Sequence, residues 1–374
     1  MRIAIICDEL DHGRQTTGIS VFVQELLAGL RQVSTEEEFL LIHADARVQL
    51  GDGGRFRDVI LPHAGGELMR NLKHLPRLLR ELAVEVVHEP RHFPPRLPAG
   101  IKGVITIHDL ASISHAPPGW QSLVVCLRQW VGLMVLLRHY TCVAAISQWT
   151  ADEIHRWLGI RRDKIQTILQ AITPNFRPAS TAAVAALRCK YKLAGSYWLN
   201  VGTIGWRKNQ TELVRAFEQV ASRFPEVTLV ISGRPSDAWS QLSAAVAVAK
   251  LGGRIRLLTD VPDEEMPALY TAADWLIFPS ICEGFGLPLL EAQVCGTPVI
   301  CSRNSSLREI GGDSIAPIEN PPLASAIAAA IVDAQPRREA LVAAGFCNAQ
   351  RFSREKRARA YLQIYRELAI RRRA

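Results

Sequence analysis

A short, mostly apolar run that empties into a glycine-bearing loop and then a helix opens this chain, and recurs just past its middle. Arg2-Ile-Ala-Ile-Ile-Cys7 is followed by a polar segment, Asp8 to Thr17, and then by Gly18-Ile-Ser20 opening a helix through Leu30. Trp198-Leu-Asn-Val-Gly202 runs into Thr203-Ile-Gly-Trp-Arg-Lys-Asn209, with a helix from about Gln210. Near-continuous apolar runs suit strands covered on both faces, the environment of a parallel sheet flanked by helices. Because 374 residues would ordinarily make two domains, the repeated opening predicts two α/β units of the Rossmann-like kind, one per half. Glycine in the first loop of each unit lets the backbone approach a ligand; on local grounds Gly18 serves equally as a turn residue. Neither loop is G-x-G-x-x-G, so NAD is not indicated.

Further strands are expected at Phe39–Ile42, Val84–His88, Gly103–Asp109, Val143–Ile146, Val227–Ser232, Arg254–Leu258, Asp274–Phe278 and Val299–Cys301. Ser147 reads as the N-cap of the helix that follows it, with Asp152 and Glu153 in the early turns. His108 stands at the carboxyl end of its strand, the end that faces the ligand crevice in open α/β sheets; taken alone, such a histidine is as readily structural. A proline-containing stretch, TPNFRPAS near Pro174 to Ala179, marks the domain boundary, giving domains of 1–176 and 177–354 with a last helix of about 355–374.

The most informative stretch runs from Phe278 to Pro298, FPSICEGFGLPLLEAQVCGTP. Its apolar run stops at Pro279-Ser280. Glu283 and Glu291 follow with seven residues between them, Gly284 and Gly286 lie in the loop, and Pro288 suits the first turn of a helix because its missing N–H would be unpaired there. Loop amides at a helix start attract an anion such as phosphate, and carboxylates accept hydrogen bonds from sugar hydroxyls. An isolated E-x7-E is as well explained by helix capping.

In this context EGFGLPLLEA followed by CGTPVI resembles the signature of the retaining glycosyltransferases of family 4, which carry the GT-B fold of two Rossmann-like parallel-sheet domains facing a central cleft. The resemblance extends over nearly the whole chain. Val201-Gly-Thr-Ile-Gly-Trp-Arg207-Lys208-Asn209 is similar to the family's diphosphate loop, although Thr203 stands where many members have arginine, and Gln170-Ala-Ile-Thr173 replaces the usual Asn-Gly-Val-Asp. Thr-Ile-His108-Asp is similar to a strand end whose histidine lies against the donor sugar. Arg351 to Arg366 resembles the last helix, which crosses back to brace the N-terminal domain.

The resemblance implies a nucleotide-sugar donor held in the C-terminal domain and an acceptor in the N-terminal one. Arg207 and Lys208 would stabilise the leaving diphosphate, helped by Gly202, Thr203 and the amides of Gly284, Phe285, Gly286 and Leu287. Glu283 would bind the sugar, Glu291 the ribose, backbone near Val261 the base, His108 the sugar from the other domain, and Gly18 the diphosphate or acceptor. With no D-x-D present and a cationic pair at the phosphates, no cofactor and no metal is expected. Donor entry would close the two domains and exclude water. The diphosphate-loop form resembles bacterial surface-polysaccharide mannosyl- and rhamnosyltransferases, implying GDP-mannose or a related deoxyhexose as donor and a glycan or lipid-linked acceptor. An epimerase of the same architecture and a non-catalytic nucleotide-sugar-binding partner are the alternatives; a phosphorylase would need a pyridoxal-binding lysine motif, which is not seen.

The net charge of +8 points to anionic partners, and the absence of any nucleic-acid-reading motif makes DNA or RNA the weakest choice. The segment Glu67 to Leu82 alternates leucines with Arg70, Lys73, His74, Arg77 and Arg80, a basic amphipathic pattern that suits either an anionic membrane or a solvated face. Pro76 is expected to break or kink it. Trp120 to Leu137 is long and apolar but carries Arg128 and Gln129 at its middle, so it reads as a buried or amphipathic helix and not a span. Arg371-Arg-Arg373 reads as a frayed tail or a lipid contact. With Met1-Arg2 leading straight into a strand, no signal peptide is expected, and the eight cysteines lack metal or C-x-x-C spacing. These features imply a cytoplasmic protein with reduced, buried thiols, peripheral at the inner membrane face if it meets membrane at all.

Overall fold

A computed structural model of the chain describes residues 1–11, 18–63, 65–91, 94–114 and 130–373. It resolves into two compact units: unit 1 comprises Met1–Ala171 with Ser353–Ala374, and unit 2 comprises Ile172–Phe352.

Unit 1 is a seven-stranded sheet in the order β3-β2-β1-β4-β5-β6-β7, parallel throughout. Its strands are β1 (Arg2–Ile6), β2 (Glu38–His43), β3 (Phe56–Ile60), β4 (Val86–Glu89), β5 (Lys102–Ile107), β6 (Cys142–Ala145) and β7 (Ile165–Thr167). Side chains alternate across a strand, so β1 feeds two cores. Ile3, Ile5 and Cys7 pack with the Gly18–Val33 helix and the last helix, whereas Ala4 and Ile6 pack with Leu75 and Leu79.

The strands that the apolar-run criterion passes over are β3, β7 and, in unit 2, β13 (Ala316–Ile318). Each closes an edge of its sheet. An edge strand keeps polar residues on its exposed face, as FRDVI of β3 does, and tolerates a proline such as Pro317.

The 67–81 segment remains helical across Pro76, contrary to the expected break. It is an α-turn (Glu67–Met69), a π-turn (Arg70–His74) and a second α-helix (Leu75–Glu81) in succession. In the wider register, the carbonyl that a proline at 76 cannot bond is that of Asn71, which instead accepts from the Arg96 N–H at 3.3 Å. Of the long apolar segment, residues 120–129 lie outside the described residues and 130–137 are helical. No helix among the described residues is long and apolar enough to cross a membrane. Cys7, Cys142, Cys282, Cys295 and Cys301 are buried, whereas Cys189 and Cys347 are exposed, against the expectation of uniform burial.

The last helix, Arg354–Arg373, packs on the Gly18–Val33 helix, and its backbone stays helical through Arg373 rather than fraying. A Cβ at Gly29 would lie 2.8 Å from Ala358 Cβ, so the two helices meet at a position that only glycine allows. Arg354 forks onto Glu25 at 2.6 and 2.8 Å, and Arg366 bonds Glu37 at 2.7 Å. Beneath this seam lies a buried polar chain. Tyr365 Oη meets His88 Nδ1 at 2.6 Å, His88 Nε2 meets Thr106 Oγ1 at 2.8 Å, and Thr106 Oγ1 meets Tyr361 Oη at 2.9 Å.

Unit 2 is a six-stranded parallel sheet in the order β10-β9-β8-β11-β12-β13. Its remaining strands are β8 (Tyr197–Val201), β9 (Thr228–Ser232), β10 (Ile255–Leu258), β11 (Trp275–Phe278) and β12 (Val299–Ser302). From β8 the chain winds one way through β9 and β10, then returns to the other side of β8 for β11, β12 and β13. The strand order therefore reverses between β8 and β11, where the diverging loops leave a crevice. In unit 1 the same reversal falls between β1 and β4.

Burial holds His88 neutral by pulling its pKa down to about 3. A depressed histidine contributes stability that is present above its unfolded pKa and is lost as pH falls toward the folded one. Acidification below about pH 6.5 should therefore cost the wild type more than His88→Gln, by about 1.4 kcal/mol per pH unit. Buried carboxylates elsewhere shift the other way but are common to both proteins, so the difference between two urea titrations isolates His88. Parallel titrations would show that the buried chain carries no such linkage.

Candidate active site

The site is built at the crevice of unit 2. After β8 the chain reaches Gly202 at φ 142°, where a Cβ would sit 2.9 Å from Lys208 Cε. Gly233, after β9, is as constrained: a Cβ there would lie against the Gly202 carbonyl oxygen. Both positions must lack a side chain for the loop to turn back and Lys208 to pass over Gly202. Thr203 is exposed, and Arg207 and Lys208 occupy a 3-10 turn (Trp206–Lys208). Asn209 then enters the Gln210–Val220 helix in the left-handed region, at φ 59°.

After β11 comes the second loop. Its Ile281 N–H donates to the Arg207 carbonyl at 2.8 Å, tying the two loops together through backbone. Lys208 Nζ then reaches Glu283 Oε1 at 2.5 Å, and lies 4.9 Å from the Phe278 ring centroid. The Lys208 and Glu283 side chains are only 15% and 10% exposed, a depth at which an ion pair is screened little and its partners are costly to separate. Gly286 sits at φ 102° and begins the Leu287–Val294 helix, with Pro288 in its first turn. A Cβ on Gly286 would collide with Leu307. Phe285 turns inward, edge-on to Phe352 at 5.8 Å.

Glu291 lies in the second turn of that helix, half-buried, and its Oε2 accepts from Tyr270 Oη at 2.7 Å. Burial lifts the Glu291 pKa to about 7, with Tyr270 pulling it down, Asp263 pushing it up and Lys208 pulling it down. Val261 follows β10, two residues before Asp263, and is half-buried.

Ser305 and Ser306 stand at a helix start, a place that suits capping, but they have a different role, and Asn304 shares it. The Ser305–Gly311 helix has no side-chain cap at Asn304. Asn304 Nδ2 instead donates to the carbonyls of Ser280 (3.2 Å) and Ile281 (2.9 Å). Ser305 Oγ accepts from the Glu283 N–H at 3.0 Å, and Ser306 Oγ donates to the carbonyls of Glu283 (2.8 Å) and Phe285 (3.1 Å). Ser305 adopts φ 45°, which a residue with a side chain enters only where its surroundings compel it. These three side chains brace the Glu283 loop from β12. The N-S-S run after an apolar strand was the sequence signal, and it reads equally well as a cap.

The structure thus gathers Gly202, Thr203, Arg207, Lys208, Glu283, Gly284, Phe285, Gly286, Leu287 and Glu291 at one edge of unit 2. Gly18 and His108 belong to unit 1. Gly18 is exposed at its helix start, with residues 12–17 before it outside the described set. His108 is buried after β5; its Nε2 bonds the Pro90 carbonyl at 2.9 Å, and its ring meets Phe22 edge-on at 4.9 Å. Ser147 caps its helix as expected, accepting from Thr150 N–H at 3.0 Å.

The polar loop expected from Asp8 instead begins with a fully buried charge. Arg70 Nη1 and Nη2 both bond Asp8 at 2.8 Å, and Arg91, from the loop after β4, lies 3.2 Å from it. Arg91 is bound in turn to Glu89, whose pKa burial lifts to about 7. Asp8, Asp11 and His63 place one potential metal ligand each within 4.8 Å, but Asp8 is already held by two arginines.

The family model for glycosyl transferases group 1 matches residues 193–342, and that for glycosyltransferase family 4 matches residues 16–176. The chain belongs to this family, whose members are retaining and nucleotide-sugar dependent. It is 29% identical to the O-antigen chain mannosyltransferase B of Escherichia coli, over 94% of this chain and 96% of that protein. Among solved structures it is similar to sucrose-phosphate synthase from Thermosynechococcus elongatus (TM-score 0.77, 21% identity, 98% of each chain). It is also similar to WaaG, a glycosyltransferase involved in lipopolysaccharide biosynthesis (TM-score 0.75, 15% identity, 97% of this chain and 99% of that one).

Removing one partner of a shielded ion pair strands the other. Lys208→Met and Glu283→Gln should each destabilise unit 2 by about 2–4 kcal/mol, and the double variant by clearly less than their sum. A urea-denaturation cycle measures this coupling; additive losses would mean that the pair is not energetically joined.

Proposed function

We propose that this glycosyltransferase transfers a hexose, mannose from GDP-mannose or a related deoxyhexose, to a saccharide or lipid-linked saccharide in the synthesis of a surface polysaccharide. The observation that carries the reading is the pairing of Lys208 with Glu283 at the unit 2 crevice. It sets a cation suited to a leaving diphosphate directly beside a carboxylate suited to sugar hydroxyls. Likeness to the O-antigen mannosyltransferase along nearly the full length of both proteins supports mannose.

In this reading Arg207 and Lys208 meet the diphosphate, whose charge grows as the glycosidic bond breaks. The amides of Gly202, Thr203, Gly284, Phe285, Gly286 and Leu287 add hydrogen bonds. Glu283 orients the sugar, Glu291 accepts from ribose hydroxyls, and the backbone at Val261 borders the base. For unit 1, Gly18 and His108 are the groups offered to ligand at that unit's own strand ends. With no nucleophile assigned among the described residues, retention follows from attack on the face the phosphate leaves, the departing phosphate oxygen taking the acceptor proton. The cationic pair does the work of a metal, so turnover should persist in chelator.

A thermal-shift screen with GDP, UDP, ADP and dTDP and their common sugars tests the donor. A ligand that binds only the folded protein raises its Tm by mass action. GDP and GDP-mannose should raise it, and Lys208→Ala should abolish the rise. A response confined to another nucleotide would replace the donor, and no response to any would remove the reading.

A membrane-bound acceptor fits one surface of unit 1. Leu68, Met69 and Leu72 are 73%, 47% and 46% exposed, on the segment that carries Lys73, Arg77 and Arg80. Apolar side chains flanked by cations suit the interface of an anionic bilayer. The protein should co-sediment with vesicles containing phosphatidylglycerol but not with phosphatidylcholine alone. Leu68→Ser with Leu72→Ser should reduce that binding several-fold, and binding unchanged by the double variant would assign it elsewhere.

A further inference from the structure

Tyr270 takes no part in the roles assigned above, yet it makes the hydrogen bond that holds Glu291. It lies on the Met266–Thr271 helix, following β10, and is wholly buried. Its ring meets Phe176 edge-on at 5.9 Å, and its backbone carbonyl accepts from Thr297 Oγ1 at 2.6 Å. Ring and backbone are therefore fixed from two sides, and the hydroxyl is delivered to Glu291 Oε2 at 2.7 Å. A carboxylate has about four acceptor positions on its two oxygens. Tyr270 fills one on Oε2, which favours one orientation of the group and leaves Oε1 free of the tyrosine. A phenol donating to a carboxylate also favours its ionised form.

We infer that Tyr270 is a positioning residue that sets Glu291 as an acceptor for the vicinal 2′,3′-diol of a ribose, and thereby selects ribonucleoside diphosphate sugars over deoxynucleotide ones. The inference rests on the reading of unit 2 as the donor site. The geometry supports a diol in particular, because a carboxylate locked in one plane presents fixed lone pairs to two neighbouring hydroxyls, whereas a freely turning one adapts to a single hydroxyl equally well. The charged and titratable groups around Glu291 agree with this. Lys208 and the Tyr270 hydroxyl favour the ionised carboxylate, while burial and Asp263 oppose it. The Cys295 thiol behind it, pushed up to about 12 chiefly by burial, stays neutral. Loss of the Tyr270 hydroxyl removes one of the two favourable partners. In its absence the acid loss of ribose recognition moves to higher pH.

The test measures dissociation constants for GDP and UDP and for their 2′,3′-dideoxy counterparts, at pH 6 and pH 8, in wild type, Tyr270→Phe, Glu291→Gln and the double variant. Hydrogen bonds to a charged acceptor discriminate by about tenfold or more. Wild type should prefer the ribonucleotide by at least that factor at pH 8, and less at pH 6. Tyr270→Phe keeps the ring against Phe176; it should cut the preference several-fold, with the larger loss at pH 6, and should add nothing in the Glu291→Gln background. Full discrimination in Tyr270→Phe, with loss in Glu291→Gln, would overturn the positioning role while leaving the ribose subsite intact. Equal binding of both nucleotides by wild type would remove the subsite itself, and no binding of any nucleotide would remove the donor-site reading. Should Tyr270→Phe fail to fold, 3-fluorotyrosine at position 270 keeps ring and hydroxyl but donates more strongly. It must then widen the preference, and an unchanged ratio counts against the inference.

Discussion

The ion pair between Lys208 and Glu283 is the interaction on which the unit 2 crevice depends. Its partners come from loops more than 70 residues apart in sequence, brought together because β8 and β11 are neighbours in a sheet whose winding reverses between them. The lysine reaches its partner only because Gly202 lacks a side chain, and the loop turns back only because Gly233 lacks one too. On the other side, Asn304, Ser305 and Ser306 tie down the backbone that carries Glu283. A charged pair this shielded has little freedom to wander, and its position is set by backbone close approach and by hydrogen bonds to main chain. Preorganisation of this kind lets a site stabilise developing charge without reorganising at the moment of reaction.

Unit 1 places charges at the same topological position and uses them differently. Its reversal point, between β1 and β4, is occupied by Asp8 and Arg91, with Arg70 completing a fork onto the aspartate. These groups are buried and satisfy one another, so they hold the loops at that end of the sheet in place. Arg70 is supplied by a π-turn, the local widening that also accommodates Pro76. The two sheets thus share a plan, while one reversal point is closed by buried salt bridges around Asp8 and the other holds a shielded Lys208–Glu283 pair between two loops.

Some elements of this organisation could be read directly from the residues. The apolar runs mark the central strands because a strand covered on both faces has no polar side to show, and Gly286 and Pro288 mark a helix start because their backbone preferences are local. Edge strands escape the same criterion: β3 shows polar and solvent-facing residues among its five, and β13 is only three residues long with a proline at its middle. Ser305 and Ser306 are hard to read for a related reason: a hydroxyl at a helix start has both a local amide and a distant loop within its chemistry, and composition does not say which it will take. Pro76 misleads because the cost of its missing N–H depends on whether another donor, here that of Arg96, arrives to satisfy the carbonyl left over.

What the sequence determined by itself is the part governed by short-range chemistry: strand–glycine–helix units, their number, the family signature around Glu283 and Glu291, and the cationic pair after Val201. Tertiary structure alone decided which of these groups touch. Lys208 pairs with Glu283, Tyr270 holds Glu291, and Asp8 is enclosed by two arginines, each contact joining residues separated by tens of positions. The C-terminal helix joins unit 1 through a glycine-sized gap at Gly29 and a buried chain of hydroxyls around His88. Side-chain chemistry is local and can be read one residue at a time, whereas a hydrogen bond or an ion pair needs two groups within about 3 Å, and only the folded chain sets that distance.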